Sequence, residues 1–495
     1  MKNITTRLAQ DTLGSLSPAV AVPLYDRAGL SPGILHFGVG NFHRAHQAYY
    51  LDALFNKGRD HDWAIVGAGV MPSDRALREI LAKQDFLTTV VEQEADGNRA
   101  LVTGAMVDFL VPGDAATIME TLARPAIRIV SLTITEGGYF IDPGSGAFDA
   151  VHPDVVYDAA HPDTPKTVFG LLVAGLRRRR ADGTQPFTVM SCDNIPHNGI
   201  VTRNVVAGLA RLSDAELADW IERNVAFPNG MVDRITPATG NREREIVTRD
   251  YGIEDGSPVF CEGFVQWVLE DNFPAGRPAL ETVDVQFVPD VTPYENMKIR
   301  ILNGGHAVIA YPAGLMGIHF AHEAMENPLV SAFLEKVEKE EIIPMVQPVP
   351  DTDLEDYFKL IKRRFANPKI GDTVRRLCLD GSNRQPKFIV PSIADRLKAG
   401  VDIAGLALES ALWCRYCYGE TESGQAIEPN DPNWQRLTST AHSARDNPVA
   451  WLAMEDVYGD VGRSQVFRER FASALRALWS DGVQRILTRY IEGTP

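Results

Sequence analysis

Two different periodicities divide this chain. In its first part, short and nearly continuous apolar runs alternate with amphipathic stretches. "GILHFGVG" (33–40) ends in glycines, and "NFHRAHQAYYLDALFNKG" (41–58) then takes up helical spacing that Gly58 closes. A second apolar run, "WAIVGAGV" (63–70), leads into "MPSDR", and strand-like runs follow at 86–93, 126–135 and 186–194. Helical stretches such as "DAATIMETLAR" (114–124) and Thr167 to Arg178 lie between them. Strands apolar on both faces, alternating with helices, predict a parallel sheet covered on either side. From about Asp284 the spacing becomes that of long helices: 297–311, 327–339, 352–365, 389–399, 402–418, 449–458 and 465–492. Polar, proline-bearing loops such as "SGQAIEPNDPNW" (423–434) separate several of them. The expected organisation is α/β, with a Rossmann-type parallel-sheet domain over 1–287 and a mainly α-helical domain over 288–495.

Bulk composition narrows the partners. At 495 residues the chain exceeds one ordinary core, since a domain takes about 150 residues. Its 49 lysines and arginines against 65 aspartates and glutamates give a net charge of −16, which repels nucleic-acid phosphates and anionic membranes. The basic run "RRRR" (177–180) reads as a solvated helix end. Five cysteines without regular spacing argue against a disulfide framework. The pair Cys414 and Cys417 in "CRYC" lies in an apolar helix and reads as core packing. No apolar run approaches the roughly 20 residues of a membrane span, and the N-terminus lacks a signal-peptide core. A soluble, cytoplasmic protein without membrane or nucleic-acid partners is expected.

The glycine-ended strand carries the first chemistry. Gly38 and Gly40 permit a tight turn and close approach of a pyrophosphate, and the helix after them presents N–H groups to its charge. Gly38, Val39, Gly40, Asn41, Phe42, His43 and Arg44 are therefore the expected cofactor loop, although His43 stands where the fingerprint has its third glycine. Arg44 can add charge near the phosphates or serve an ion pair. Beyond the second strand, Asp74 is placed to read the adenosine ribose, which favours NAD; Arg75 beside it would welcome a 2′-phosphate, so NADP is the alternative.

The second chemistry lies in "MKIRILNGGHAVIAYPAGL" (297–315), where Lys298, Asn303 and His306 interrupt an apolar run. Wound at about 100° per residue, the segment puts Lys298 at about 0°, Glu295 near ~60°, His306 near ~80° and Asn303 near ~140°, on one broad face. Gly305 falls on the same face, which would let a small molecule approach the backbone there. Oxidising a secondary alcohol needs a base, donors for the developing alkoxide and a nicotinamide against the carbinol carbon. No zinc-ligand cluster is spaced in the sequence. "YENMK" pairs Tyr294 with Lys298 four residues on, but about 250 residues past the glycine loop and at the domain junction. The remaining choice is Lys298 itself as acid–base group, with Asn303 donating to the substrate oxygen and His306 holding the substrate.

Together "GVGNFHRAHQAYYLDAL", "SLTITEGGY", "FTVMSCDNIPHNG", "FPNGMVDRITP" and "KIRILNGGH" resemble the polyol-specific long-chain dehydrogenase/reductase family, most closely its mannitol 2-dehydrogenases, from about residue 20 to the end. The resemblance implies a monomer or weak oligomer, metal-independent, with its active site in the cleft between two domains. It places the lysine acid–base at Lys298, the oxyanion-binding asparagines at Asn194 and Asn303, the substrate-positioning histidine at His306 and a proton-passing glutamate at Glu295. Polyol hydroxyls would meet Asp233 and Arg376. Two departures stand out: Arg384 replaces a substrate-contacting lysine, and Ser73 with Asp74 replaces a Glu–Asp pair at the adenosine end. On their own terms, Asn194 could merely cap a turn, Asp233 could pair with Arg234, and both arginines could be surface charges. The activity implied is reversible oxidation of D-mannitol to D-fructose with NAD. D-Arabinitol, D-sorbitol and a fructuronate-type sugar acid are alternatives, and a non-catalytic dinucleotide or polyol sensor is the rival of another class.

Overall fold

A computed structural model describes residues 5–142 and 146–493. The chain divides into two compact units, Met1–Val291 and Thr292–Pro495.

The first unit is built on five parallel strands, β1 (Pro32–Phe37), β2 (Ala64–Ala68), β3 (Met106–Phe109), β4 (Ile129–Leu132) and β5 (Thr188–Ser191), in the order β3-β2-β1-β4-β5. This is the doubly wound order, in which the chain leaves β1 first to one side and then to the other. Helices 115–123, 168–181 and 198–213 pack Ile118, Leu172 and Val206 on one face, while helix 47–56 packs Leu51 and Phe55 on the other. Register aligns Phe37 with both Ala68 and Leu132, and Leu132 with Ser191. The loops after β1, β2, β4 and β5 therefore emerge along one edge, where a switch point opens the ligand crevice of such sheets.

Some expectations change. Run 86–93 is a strand, Thr88–Glu94, but outside the parallel sheet: it forms an antiparallel hairpin with Gly97–Thr103 in a four-stranded sheet. A turn of two residues between them leaves no room for a crossover. The helix expected over 41–58 breaks at His46 (φ −125°, ψ −86°) into Asn41–Ala45 and Gln47–Asn56. "RRRR" is not wholly solvated. Arg179 is buried and donates to the carbonyls of Leu122 (2.7 Å), Arg124 (2.5 Å), Ile127 (2.5 Å) and Gln185 (2.7 Å). Five donors in one planar fork satisfy a turn that would otherwise bury unpaired carbonyls.

The second unit is helical, with isolated bridges but no strand among its described residues. Helix Ala404–Cys417 is buried all round and includes Cys414 and Cys417. Expected helix 465–492 divides at Gly482, and 449–458 is two short helices, Val449–Leu452 and Glu455–Tyr458. The run at 297–311 starts earlier, at Thr292, and is not one α-helix. Thr292–Met297 and Gly304–Leu315 flank a π-helical turn, Lys298–Asn303. No helix among the described residues is long and apolar enough to cross a membrane.

Candidate active site

In the first unit the glycine turn is set by sterics. Gly38 has φ +93°, and a Cβ there would fall on the carbonyl of Thr133 in the next loop, so only glycine serves. A Cβ at Gly40, by contrast, would meet nothing nearer than 3.9 Å, leaving the backbone open to a ligand. Beneath the turn, the His36 imidazole reaches the carbonyl of Gly38 (3.2 Å), Thr133 Oγ1 (2.9 Å) and Ser131 Oγ (2.8 Å). His43 stacks on it with ring centroids 3.5 Å apart. Burial pushes His36 down to about 3 and His43 well below the usual range, so both rings are neutral.

The loop residues thus divide into backbone and anchor. Val39 points into the core against Gly67, and Phe42 stacks on His46. Asn41 Nδ2 donates to Pro237 O (3.3 Å) and Thr239 Oγ1 (3.1 Å). Arg44 is buried, its guanidinium on Asn41 Oδ1, Gly40 O and Ser257, so its side chain staples the loop instead of facing phosphates. His43 likewise reaches a ligand only through its backbone. Asp74 lies in the first turn of helix Pro72–Ala82, where its carboxylate accepts the Met71 N–H (2.9 Å) and folds over Gly69 at the end of β2. Arg75 donates to the carbonyl of Pro112 (3.2 Å). Glycine turn, open Gly40 backbone and an acid after β2 form a cradle that fits a dinucleotide.

Asn194 is exposed, three residues past β5. The adjoining Asp193 is buried, and its carboxylate accepts Ile134 N–H (3.0 Å), Thr135 N–H (2.8 Å) and Tyr139 Oη (2.7 Å). Thr135 holds φ +64° with ψ 161°, a region nearly reserved for glycine and costing a β-branched residue about 1–3 kcal/mol. Asp193 thus clamps a strained loop beside Asn194. Asp233 ends strand Gly230–Asp233, opposite Gln266. Arg234 beside it is taken up by Glu92 Oε1 (2.6 Å) and the carbonyls of Ala45 and Glu262.

In the second unit the π turn shapes the lysine face. A ring closed five residues back, as Gly304 N–H to Ile299 O, brings residue i+5 over residue i. Asn303 is the fifth residue after Lys298, so the turn draws it toward the lysine, which an α-helix would not. Lys298 and Glu295 are buried, while Asn303 and His306 are largely buried with a partly exposed edge. His306 stacks on Phe365, centroids 4.2 Å apart. Burial, then the guanidiniums of Arg376, Arg364 and Arg384, push its imidazole well below the usual histidine range. It is a neutral hydrogen-bonding ring at pH 7. Arg376 is held bidentate by Asp372, and Arg384 donates to the carbonyls of Arg376 and Leu377 (3.3 Å each). Arg364 and Phe365 were not singled out in the sequence; they end an amphipathic helix, Leu354–Phe365, whose register alone marks neither.

One expectation fails here. Gly305 does not open the backbone to a ligand: a Cβ there would meet Glu338 Oε1 at 3.1 Å and Phe365 Cε2 at 3.4 Å. Tyr294 is buried, with its hydroxyl toward Pro350 O (3.4 Å). Cys414 and Cys417 are buried thiols pushed up by desolvation, and no group of three metal-ligating side chains occurs among the described residues.

A doubly wound dinucleotide-binding unit followed by a helical unit carrying a buried lysine on a π turn defines a two-domain dehydrogenase. The family described as mannitol dehydrogenase, Rossmann domain, matches residues 32–282, and mannitol dehydrogenase, C-terminal domain, matches 290–479. The chain belongs to this mannitol dehydrogenase family and is a polyol dehydrogenase acting on a secondary alcohol. It is 61% identical to mannitol 2-dehydrogenase of Cereibacter sphaeroides over 96% of this chain and 100% of that one. It is 40% identical to mannitol 2-dehydrogenase of Aspergillus terreus over 96% of each. Among solved structures it resembles Pseudomonas fluorescens mannitol 2-dehydrogenase in ternary complex with NAD and D-mannitol (TM-score 0.87, 44% identity, 98% of this chain and 100% of that one). It also resembles a substrate-free D-sorbitol dehydrogenase (TM-score 0.90, 36% identity, 97% and 100%).

Proposed function

We propose that the protein is a mannitol 2-dehydrogenase, interconverting D-mannitol and D-fructose with NAD. The observation that carries the mechanism is the π turn, which gathers Lys298 and Asn303 on the helix that also bears a neutral His306. In oxidation, the Lys298 amine takes the proton of the reacting hydroxyl, and the carboxamides of Asn303 and Asn194 donate N–H to the oxygen as charge develops. His306 positions that oxygen through a hydrogen bond. Glu295, three residues before Lys298, passes the proton on to water. Asp233, Arg376 and Arg384 bind the remaining hydroxyls. The backbone of residues 38–44 and Asp74 would hold NAD, which would supply the hydride acceptor. Identity with the mannitol enzymes over nearly the full chain supports this substrate. The likeness to a D-sorbitol dehydrogenase, with Arg384 in place of the lysine, favours sorbitol as second reading.

Lys298→Ala tests the mechanism. Fructose-dependent NADH oxidation should fall by about 10²–10⁴-fold, the range for a lost acid–base group, while NADH binding by fluorescence titration is retained. An unchanged rate would remove Lys298 from the chemistry, whereas absence of fructose-dependent NADH oxidation in the wild-type protein would favour the sensor role. Tyr294→Phe should keep most of the activity, and its loss would transfer the acid–base role to the tyrosine. Mannitol, sorbitol and arabinitol oxidised with NAD, and fructose and fructuronate reduced with NADH, rank the substrates by kcat/KM in each direction, and a larger value for another polyol than mannitol, or for fructuronate than fructose, displaces the first choice.

A further inference from the structure

Two Asn-Gly pairs, Asn198-Gly199 in "IPHNG" and Asn229-Gly230 in "FPNG", stand 31 residues apart in sequence and grip each other in the fold. Asn198 is fully buried. Its Oδ1 accepts the Gly230 N–H (2.9 Å), and its Nδ2 donates to Gly230 O (2.8 Å), Asp193 O (3.1 Å) and Ser191 O (3.3 Å). In return, Asn229 Oδ1 accepts the N–H groups of Gly199 (3.0 Å) and Ile200 (3.1 Å). Asn229 is fixed from behind by Glu270, whose Oε2 accepts its backbone N–H (3.0 Å) and whose two oxygens accept its Nδ2 (3.1 Å each). The approach is so close that a Cβ on Gly199 would fall on the carbonyls of Phe227 and Pro228. Such reciprocal, fully satisfied amides inside a core set geometry more than they add net stability.

What the lock joins decides its meaning. Ser191 and Asp193, both held by Asn198, flank the short path to Asn194, and Gly230 begins the strand that ends in Asp233. We propose that Asn198 and Asn229 are positioning residues that fix the loop bearing Asn194 in register with the strand bearing Asp233. The inference rests on the role proposed above for Asn194. With the Asp193 clamp on Ile134 and Thr135 in front and the lock behind, the chain around Asn194 is held on both sides. The carboxamide of Asn194 then meets a developing oxyanion without first paying for loop ordering, and a misplacement of about 1 Å costs up to ~10²-fold in rate.

The test is a double-mutant cycle. Asn198→Asp keeps the Oδ acceptor and removes the Nδ2 donors. Its kcat/KM for fructose should fall about ten- to hundred-fold while NADH binding stays within about two-fold, because the glycine turn at Gly38 has its own supports. In an Asn194→Ala background, the same change should cost less than about two-fold, since the group it positions is gone. Equal cost in both backgrounds would show a general structural role and overturn the inference alone. A wild-type rate for Asn194→Ala by itself would overturn the role of Asn194 and the inference with it. Should Asn198→Asp fail to fold, Asn229→Ser loosens the lock from the other side without adding charge and is read in the same cycle, with the same two outcomes.

Discussion

Gly38 and Gly40 in the first unit and Gly304 and Gly305 in the second are written alike, a glycine pair beside polar residues, yet they do opposite work. At Gly38 the backbone is bent to φ +93°, with the next loop pressed against the α-carbon, and Gly40 leaves its backbone bare. At Gly304, which closes the π turn, the dihedrals are ordinary helical ones, φ −61° and ψ −45°. Here glycine admits a neighbour. At Gly305 the Glu338 carboxyl and the Phe365 ring crowd the place of a Cβ, at 3.1 and 3.4 Å, while at Gly304 a Cβ would meet Phe388 O at 3.4 Å. The first pair makes room for a ligand, and the second makes room for the protein. Glycine in a sequence reports missing volume, and only tertiary structure says who uses it.

The sharpest way to break this contrast is Gly38→Ala. A left-handed φ costs about 1–2 kcal/mol, and overlap with the Thr133 carbonyl adds about 1–3 kcal/mol, so NADH affinity should fall roughly 100-fold. Fluorescence titration reads this directly, and affinity within a few-fold of wild type would mean that the turn is not the cofactor cradle. The next largest effect concerns the acid beside Gly305. Glu338 is fully buried, neither carboxyl oxygen has a hydrogen-bond partner, and burial raises its pKa well above the usual carboxylate range. Glu409 behaves similarly and is pushed up to about 8. For both, the folded pKa lies above the unfolded one, so the folded state holds the extra proton and stability falls as pH rises from about 4.5. For Glu409 the fall ends near pH 8. Each group should contribute roughly 1 kcal/mol per pH unit inside its window. Glu338→Gln should flatten the decline of Tm between pH 5 and pH 8, and adding Glu409→Gln should flatten it further. A slope equal to that of the wild type in the double variant would show that neither acid is held protonated.

How much of this was legible follows from what each feature depends on. Strand, glycine turn and helix depend on near neighbours, so the glycine loop could be read from residues 33–58 and the parallel sheet from the further apolar runs at 63–70, 126–135 and 186–194. The lysine face was partly legible. An α-helical wheel puts Lys298, Asn303 and His306 on one side, but the π turn, which narrows that side, arises from packing that no local spacing encodes. Arg179 looked solvated because its carbonyl partners, at 122–127 and 185, come from elsewhere in the chain. Arg364 and Phe365 reach His306 from a helix some sixty residues on, and the Asn198–Asn229 lock exists only once two loops meet. Side chains that answer to distant partners carry no periodic signal.

The smallest effect tests the second glycine pair and sharpens the contrast most. Gly305→Ala gains about 1 kcal/mol of helix propensity and pays about 1–3 kcal/mol for pressing on Glu338 and Phe365, a net loss near ~1 kcal/mol that a shift of a few degrees in Tm would record. Because Phe365 lies stacked under His306, the displaced ring should tilt the imidazole and raise KM for fructose a few-fold. NADH affinity should not move. Glu338→Asp, one methylene shorter, should recover part of both losses when combined with Gly305→Ala, since the nearest obstacle is the Glu338 carboxyl at 3.1 Å. If Gly305→Ala instead weakened NADH binding as Gly38→Ala is expected to do, the two glycine pairs would serve one ligand, and the division between ligand room and packing room would be wrong.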